Sequence, residues 1–331
     1  MADGTPEYAV GVDLGGTNLK LALVERHAGI VRQTSLESEA ENGPRRVLDR
    51  IAEGVARVVQ GHEGEILGVG IGAPGVVSKD RTTVSDAPNL PGWTCVRLPE
   101  EVGKRLKNVG IDVGGRVVGE NDANVAGLGS AFYGAGRPFA SFVMVTLGTG
   151  VGGAIIVDKR LFRGATGAAG EIGHMSIDYE GPYDRAGVAG AIEAYLGQRF
   201  FSRHVRYQLL ARETELHATS GTDLIDVTPE RVHAAALDGD PAAIEVLAWA
   251  GHKLGVLLGS IVNLLDIRKI VVGGGVSRAG DYLLDPARDA LMRCVMPPMT
   301  DGVEIVRETR GNDVALLGAA RLVFEYLDDE A

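Results

Sequence analysis

Cysteine is nearly missing from this chain of 331 residues: only Cys95 and Cys294 occur, far apart in sequence. That excludes a disulfide framework and favours a reducing compartment. Runs of basic residues are also missing. The longest cluster is "GKRLK" (Gly103 to Lys107), and the formal net charge is −11, so the electrostatic stripe expected of a nucleic-acid binder is not visible. The opening "MADGTPEYAV" carries acid and has no apolar core, which is not the pattern of a signal peptide. The longest apolar stretch, "KLGVLLGSIVNLLDI" (Lys253 to Ile267), is too short and too interrupted to span a bilayer and reads as a core helix. No G-x-x-x-x-G-K-[ST] is present, which removes the P-loop. These absences leave a cytoplasmic protein with no nucleic acid and no membrane among its expected partners.

Glycine is abundant, at 47 residues, and clustered rather than periodic, which points to tight turns and close backbone approaches. "YAVGVDLGGTNLKLALVE" reads as strand, glycine turn, strand, with Leu19, Leu21 and Leu23 alternating at period two. Residues 44–60 read as a helix, with Val47, Ile51, Val55 and Val58 at helical spacing, and "EILGVGIGAPGVV" as a strand ending in a second glycine turn. "FVMVTLGTGVGGAIIVD" repeats the opening pattern, which suggests an internal duplication. Helices are expected at "GAIEAYLGQRFFSRHV", at "PAAIEVLAWAGHKLGVLLGSIVNLLDI" and at "ALLGAARLVFEYL", with a strand and third glycine turn at "KIVVGGGV". Mixed strands and helices with three glycine turns argue for two α/β domains with a cleft between them.

Two stretches imitate a dinucleotide fingerprint, "GIGAPG" (Gly70 to Gly75) and "GTGVGG" (Gly148 to Gly153). The segments after both look extended rather than helical, so that reading is rejected. What remains is a pair of glycine turns between strands, each with a hydroxyl, Thr17 and Thr149. Consecutive backbone N–H groups in such turns cradle anions, and two of them suit a two-sided phosphate clamp. Asp13 precedes the first turn. A carboxylate beside phosphate needs a cation between them, so Asp13 is a metal-side candidate, acting directly or through water; its plainer reading is a turn aspartate.

"VVGENDANVAG" sets Glu120, Asn121, Asp122 and Asn124 at a strand-to-helix junction. Asp122 suits proton abstraction from a hydroxyl while Asn121 fixes a neighbouring one, although Asp122 is equally a helix-capping residue by type. "AGEIGHM" adds Glu171 and His174, with Glu193 further on; a neutral imidazole both donates to and accepts from sugar hydroxyls.

Taken in order, these motifs resemble the bacterial ROK sugar kinases of the actin-like and hexokinase superfamily. "VGVDLGGTNLKLALV" and "MVTLGTGVGGAIIV" resemble the two phosphate motifs, "IVVGGGVS" (Ile270 to Ser277) the adenosine motif, "GENDANVAGLG" the catalytic segment and "APNLPGW" (Ala87 to Trp93) the sugar loop of the family's glucokinases. The resemblance runs from about Tyr8 to the last helix. It implies two actin-like (ribonuclease H-like) α/β domains, a small one of residues 1–122 with the C-terminal helix 313–331 and a large one of 123–312. It implies transfer of the γ-phosphate of ATP, with Mg²⁺, to the C6 hydroxyl of glucose, Asp122 being the general base. Gly75, Asn89, Asn121, Glu171, His174 and Glu193 would hold the sugar. Gly15, Gly16, Thr17, Asn18, Thr149, Gly150, Gly274 and Gly275 would line ATP. The protein would be a homo-oligomer, a dimer. A kinase for fructose, mannose, N-acetylglucosamine or N-acetylmannosamine, or a sugar sensor that does not bind DNA, are the alternatives.

One stretch departs from the family. Its zinc motif, G-x-x-C-x-C-G-x-x-G-C-x-E, laid on Gly181 to Glu193, puts Asp184, Ala186 and Ala191 at the cysteine positions, with His174 as fourth ligand. Alanine cannot bind zinc, so no zinc is expected, and packing of Ala186, Val188, Ala191 and Ile192 should hold the loop instead.

Overall fold

The computed structural model describes residues 6–330, with side chains to Asp328; the start of the stretch read as lacking a signal peptide, residues 1–5, lies outside the described residues. In chain order the elements are β1 (Tyr8–Leu14), β2 (Asn18–Glu25), β3 (Gly29–Glu37), α1 (Pro44–Val59), β4 (Ile66–Ala73), β5 (Val76–Val77), β6 (Val84–Ser85), α2 (Leu98–Asn108), β7 (Val117–Asn121), α3 (Asp122–Tyr133), β8 (Phe142–Leu147), β9 (Val151–Val157) and β10 (Arg160–Leu161). There follow α4 (Glu193–Leu196), α5 (Gln198–Leu209), α6 (Leu216–Ser220), α7 (Pro229–Leu237), α8 (Pro241–Leu265), β11 (Lys269–Gly273), α9 (Asp281–Cys294), β12 (Glu304–Arg307) and α10 (Asp313–Glu330).

The expected duplication is visible in the topology. One sheet has the order β3-β2-β1-β4-β7 and the other β10-β9-β8-β11-β12, the same order for strands taken in sequence. In each, the pairings with β4 and with β11 are parallel. The glycine turn of the first half joins antiparallel partners β1 and β2, which meet from Tyr8 opposite Glu25 to Leu14 opposite Leu19.

The chain divides into two compact units. One holds the residues through Ala140, Ala154–Gly170 and Asn312 onward; the other holds Ser141–Gly153 and Glu171–Gly311. The expected boundary after Asp122 therefore falls inside the first unit. The cause is the packing of α3: Gly129 and Gly318 lie where α3 and α10 touch, and a Cβ on either would come within 2.0 Å of the other helix's backbone. α3 is thereby fixed to the C-terminal helix.

In the first unit α1 presents Val47, Leu48, Ile51, Val55 and Val58 and α2 presents Leu98, Val102 and Leu106 to one side of the strands, all buried among Val10, Val12, Leu21, Val69 and Ile71. A stripe at three- and four-residue spacing is what an amphipathic helix needs to cover a sheet. Leu316, Leu317, Ala320, Val323 and Phe324 of α10 pack on Ala9, Ala22 and Val24. Gly11 and Gly70 admit the α10 backbone to the sheet: a Cβ there would meet the carbonyl oxygens of Leu316 and Ala319 at 2.0 and 1.7 Å.

In the second unit α8 has the length and apolar composition to cross a membrane, unlike the shorter stretch read from sequence. It packs as a core helix instead. Leu247, Leu254, Leu257, Leu258 and Val262 are fully buried. The glycines that interrupt its apolar pattern, Gly251, Gly255 and Gly259, recur every fourth residue and receive α9, touching Leu283, Ala287 and Cys294. Such a row is a groove into which the neighbouring helix settles. The single helix expected over 190–205 is broken at Gly197, whose ψ of 136° is extended. Helices α6 and α7 were not foreseen; Thr228 caps α7, its side chain accepting from the Arg231 N–H.

Candidate active site

The predicted residues of the first unit converge at the carboxyl ends of β1, β4 and β7, where ligands of open parallel α/β sheets bind. Register places Asp13 beside Gly72 and Ala73 beside Asn121. The turn Gly15–Asn18 is closed by a hydrogen bond from the Gly15 N–H to the Asn18 carbonyl, 3.0 Å. It is anchored from beneath by buried Ser38, whose hydroxyl donates to the Gly16 carbonyl at 2.7 Å. Thr17 and Asn18 are exposed at its tip. Asn89 lies against Gly16, so closely that a Cβ on Gly16 would sit 2.8 Å from the Asn89 carbonyl oxygen. Asp13 is partly exposed at the rim of β1; burial pushes its carboxyl up from the usual range, with Lys20 on the facing strand pulling the other way. A carboxylate that burial disfavours, beside a glycine turn, has the chemistry to pair with a cation.

At the β7–α3 junction the cap is Asn121, not Asp122. The Asn121 Oδ1 accepts from the Ala123 and Asn124 N–H groups at 2.9 and 3.2 Å, and its amide donates to the Gly75 carbonyl at 3.1 Å. This leaves one amide N–H for a ligand, so Asn121 is chiefly a brace. Gly75 has φ +94°, a left-handed value, and a Cβ there would lie 2.4 Å from the Ser85 carbonyl, so no other residue fits without strain. Asp122 opens α3, with Oδ1 accepting from the Ala123 N–H at 2.8 Å. Its position in the first turn of a helix suits a negative charge.

Glu120, grouped with the polar site residues by sequence, does something else. It is fully buried and its Oε2 meets Arg81 Nε at 3.0 Å and Arg163 Nε at 2.7 Å. Its Oε1 accepts from the Asn121 N–H and the Asn124 amide at 3.0 and 3.1 Å. The carboxylate thus ties two distant segments to the junction that presents Asp122. Sequence gave no signal for Arg81 or Arg163, because their pairing partner is 39 and 43 positions away.

In the second unit the turn after β8 is closed from the Gly148 N–H to the Gly150 carbonyl, 2.9 Å, with Thr149 exposed at its tip. Gly274, at φ +86°, follows β11 and lies against the end of β8, where a Cβ would be 2.2 Å from the Leu147 oxygen. The structure therefore brings Thr149 and Gly150 together with Gly274 and Gly275. Glu193 lies against this turn as well: its Oε2 accepts from the Val151 N–H at 3.0 Å and would stand 2.3 Å from a Cβ on Gly150. Gly173 packs on Val151, leaving no room for a side chain, and this sets Glu171 and His174 beside Glu193. Burial raises the Glu171 carboxyl, His174 opposes this, and the charge of Glu193 adds to the rise.

The loop of the missing zinc motif is held by a clip. His174 Nδ1 is 2.6 Å from Oδ2 of Asp184, whose side chain is fully buried. Asp184 Oδ1 accepts from the Val188 N–H at 2.8 Å. Burial pushes the His174 imidazole down; the hydrogen bond and charge of Asp184, with Glu193 and Glu171, outweigh it, and the net shift is upward. Burial likewise pushes Asp184 up, and the His174 and Val188 hydrogen bonds more than offset it, leaving the carboxyl below its usual range. Backbone bridges pair Tyr183 with Ala189 and Ser176 with Ala191. The expectation of apolar packing holds for Ala191 and Ile192, both fully buried, but fails for Ala186, which is exposed. Hydrogen bonds took its place because a loop with glycines at 181, 187 and 190 exposes backbone more readily than it buries side chains. His174 and Asp184 already satisfy each other and two alanines supply no donor, so the loop does not fit zinc; among the described residues no three His, Cys, Asp or Glu side chains are grouped to hold a metal.

A profile of the ROK family matches residues 9–325. This chain belongs to the ROK family. It is 32% identical to a glucokinase of Thermotoga maritima over 324 residues, 96% of this chain and 98% of the relative. A Streptomyces coelicolor glucokinase is 34% identical over 329 residues, 96% of this chain and 97% of the relative. Among solved structures, a ROK glucokinase from Streptomyces griseus in complex with glucose and AMPPNP superposes with a TM-score of 0.80 at 31% identity, covering 96% of this chain and 99% of that one. The family expected from the motifs, the ROK sugar kinases, is the family found, and with it the actin-like α/β fold.

Proposed function

We propose that this ROK protein is a glucokinase: it transfers the γ-phosphate of ATP to the C6 hydroxyl of glucose, with Asp122 as general base. The observation that carries the reading is the β7–α3 junction. Asp122 is offered on the first turn of α3 by a support that is itself held from several sides, Asn121 capping the helix and tied to Gly75, and Glu120 beneath it held by two arginines. Rigid presentation of one carboxylate is what proton abstraction from an alcohol requires. Identity of 32% and 34% to two glucokinases over nearly the whole chain supports glucose as the acceptor.

In this reading Glu171, His174 and Glu193 hold sugar hydroxyls, with Asn89 and the spare Asn121 N–H. The Asp184 contact at Nδ1 leaves His174 Nε2 to face a hydroxyl, 4.0 Å from Glu171. The two glycine turns receive the ATP phosphates through backbone N–H groups, and Gly274 and Gly275 lie by the nucleoside. Mg²⁺, when bound by way of Asp13, neutralises phosphate charge. Phosphoryl transfer demands chiefly positioning and charge neutralisation, which are what these groups provide. We assign it to the cytoplasm, as a homodimer.

The test is ADP release with Mg-ATP over a panel of glucose, fructose, mannose, N-acetylglucosamine and N-acetylmannosamine. Glucose should give the highest kcat/KM; turnover on none of them overturns the kinase reading, and a preference for another sugar overturns glucose. Asp122→Ala should lower kcat by about 10²–10⁴-fold while glucose still binds. Undiminished turnover in that variant removes Asp122 as the base.

A further inference from the structure

An acidic chain carries one markedly basic helix. α5, "QRFFSRHVRYQL", holds Arg199, Arg203, His204 and Arg206 and no carboxylate, within a protein of net charge −11. Against it, within the second unit, lies a cavity of about 440 Å³ lined by Tyr195, Phe200, Arg203, His204, Trp249 and Lys253 among others. None of its lining residues is acidic. The aromatic rings are arranged rather than scattered. His204 stacks flat on Trp249 with an interplanar angle of 6°, and Tyr195 is tilted against the same indole at 6.1 Å.

The cations of this cavity have only rings as partners. Lys253 Nζ stands 4.6 Å from the Tyr195 ring and the Arg203 guanidinium 5.1 Å from the Phe200 ring. Among the described residues neither makes an ion pair. The contrast with the first unit is instructive. Its larger cavity, about 780 Å³, is also lined by arginines, but there Arg81 and Arg163 are neutralised by Glu120 and Arg97 by Glu100. Positive charge left without a counter-ion at a concave, ring-lined surface is a standing attraction for an anion, and aromatic faces suit a flat or C–H-rich ring.

We propose that this cavity binds a phosphate monoester carried on a ring, either a hexose phosphate or a nucleoside monophosphate. Arg203 and Lys253 meet the phosphate, and the Trp249–His204 stack with Tyr195 meets the ring. Phosphate on arginine is held through paired N–H donors, while lysine acts as a point charge. The volume is within the range of small-ligand pockets. None of these residues belongs to the sugar or nucleotide sets above, so the site stands apart from the proposed catalysis and its test needs no turnover.

Trp249 is one of two tryptophans, the other, Trp93, being buried in the first unit, so the part of the emission change that is lost in Trp249→Phe reports on the cavity. The full chain is titrated with glucose 6-phosphate, with AMP and with inorganic phosphate, each in the presence of saturating glucose. A saturable change with glucose 6-phosphate identifies a sugar phosphate, and with AMP a nucleotide; inorganic phosphate should bind more weakly. Arg203→Ala and Lys253→Met, each checked for folding by circular dichroism, should weaken binding by about tenfold, the loss of one charge-assisted contact. The change should vanish in Trp249→Phe, with equilibrium dialysis of labelled ligand confirming that binding itself depends on Arg203 and Lys253. No saturable change with either ring compound overturns the proposal. So does binding in both cation variants as strong as in the parent chain, or inorganic phosphate binding as tightly as the ring compounds.

Discussion

Replacing Asp184 by asparagine removes the charge of the loop clip while keeping its shape. The amide still offers Oδ1 to the Val188 N–H, and only the contact with His174 changes from a charged to a neutral one. A charge-assisted hydrogen bond contributes about 1.5–3 kcal/mol and a neutral one about 0.5–1.5. His174 keeps 38% of its side chain exposed, so solvent screens part of the difference and about 1 kcal/mol remains. That is about a fivefold rise in the population of the open loop. The pH dependence follows from the shifts. The folded His174 pKa is raised, so its contribution is full below the ordinary histidine value of about 6.5 and is lost as pH rises through the folded value. The folded Asp184 pKa is depressed, so its contribution is present above the ordinary aspartate value of about 3.9 and is lost as pH falls through the folded one. Between those two ordinary values the loop is tightest, and above neutrality it loosens. Glu171 and Glu193 also face His174, so they add to the upward shift and leave a residual slope. Hydrogen exchange of the peptide spanning residues 183–190, corrected for intrinsic rates, measures this directly. In the parent chain, protection should fall from pH 6 to pH 8; in Asp184→Asn it should start lower and fall less. Equal protection in the two proteins, or an equally steep pH change, refutes the clip.

Glu120→Ala takes the buried carboxylate away from Arg81 and Arg163, which both stay partly exposed to water, and should cost about 1–3 kcal/mol in urea unfolding, with no measurable loss refuting the bracing role. Gly150→Ala meets only the movable end of Glu193, so stability should stay within about 1 kcal/mol while the carboxylate leaves the Val151 N–H. Kinetics should show higher KM values for sugar or ATP, and unchanged KM values would separate Glu193 from the site. Metal analysis of the purified chain should find far less than one zinc per chain, and chelator should not shift Tm; about one zinc per chain overturns the reading of the loop.

The elements of this fold were legible where hydrophobic period and glycine agreed. β1–turn–β2 and β8–turn–β9 follow from alternating leucines and valines around paired glycines, and both appear with the same sheet order. The helix break at Gly197 was not legible, because the apolar pattern continues across it, while the Gln198 N–H donates to the Gly148 carbonyl of the turn after β8 instead of continuing the helix. At the site, residue type pointed to the β7–α3 junction but not to the division of labour there. Asn121 and Asp122 are both good caps, and the choice is made by Gly75, which takes the Asn121 amide from a segment 46 positions away. The basic character of α5 is not legible as a run because its cations are spaced by aromatic and other uncharged residues in sequence and gather only when the helix forms. Distant pairing is what sequence hides, and the Arg81–Glu120–Arg163 triad is of that kind.

A metal staple makes a loop's maturation depend on supply: the ion must be delivered, and the thiols that grip it must stay reduced. The His174–Asp184 clip is made of groups the chain carries with it, and it closes when Asp184 is buried. A newly made copy then reaches its finished form without a loading step, and oxidants have no thiolate in the loop to attack. Its exposure moves from metal and redox balance to acidity, a variable the surrounding fluid sets at once for every copy.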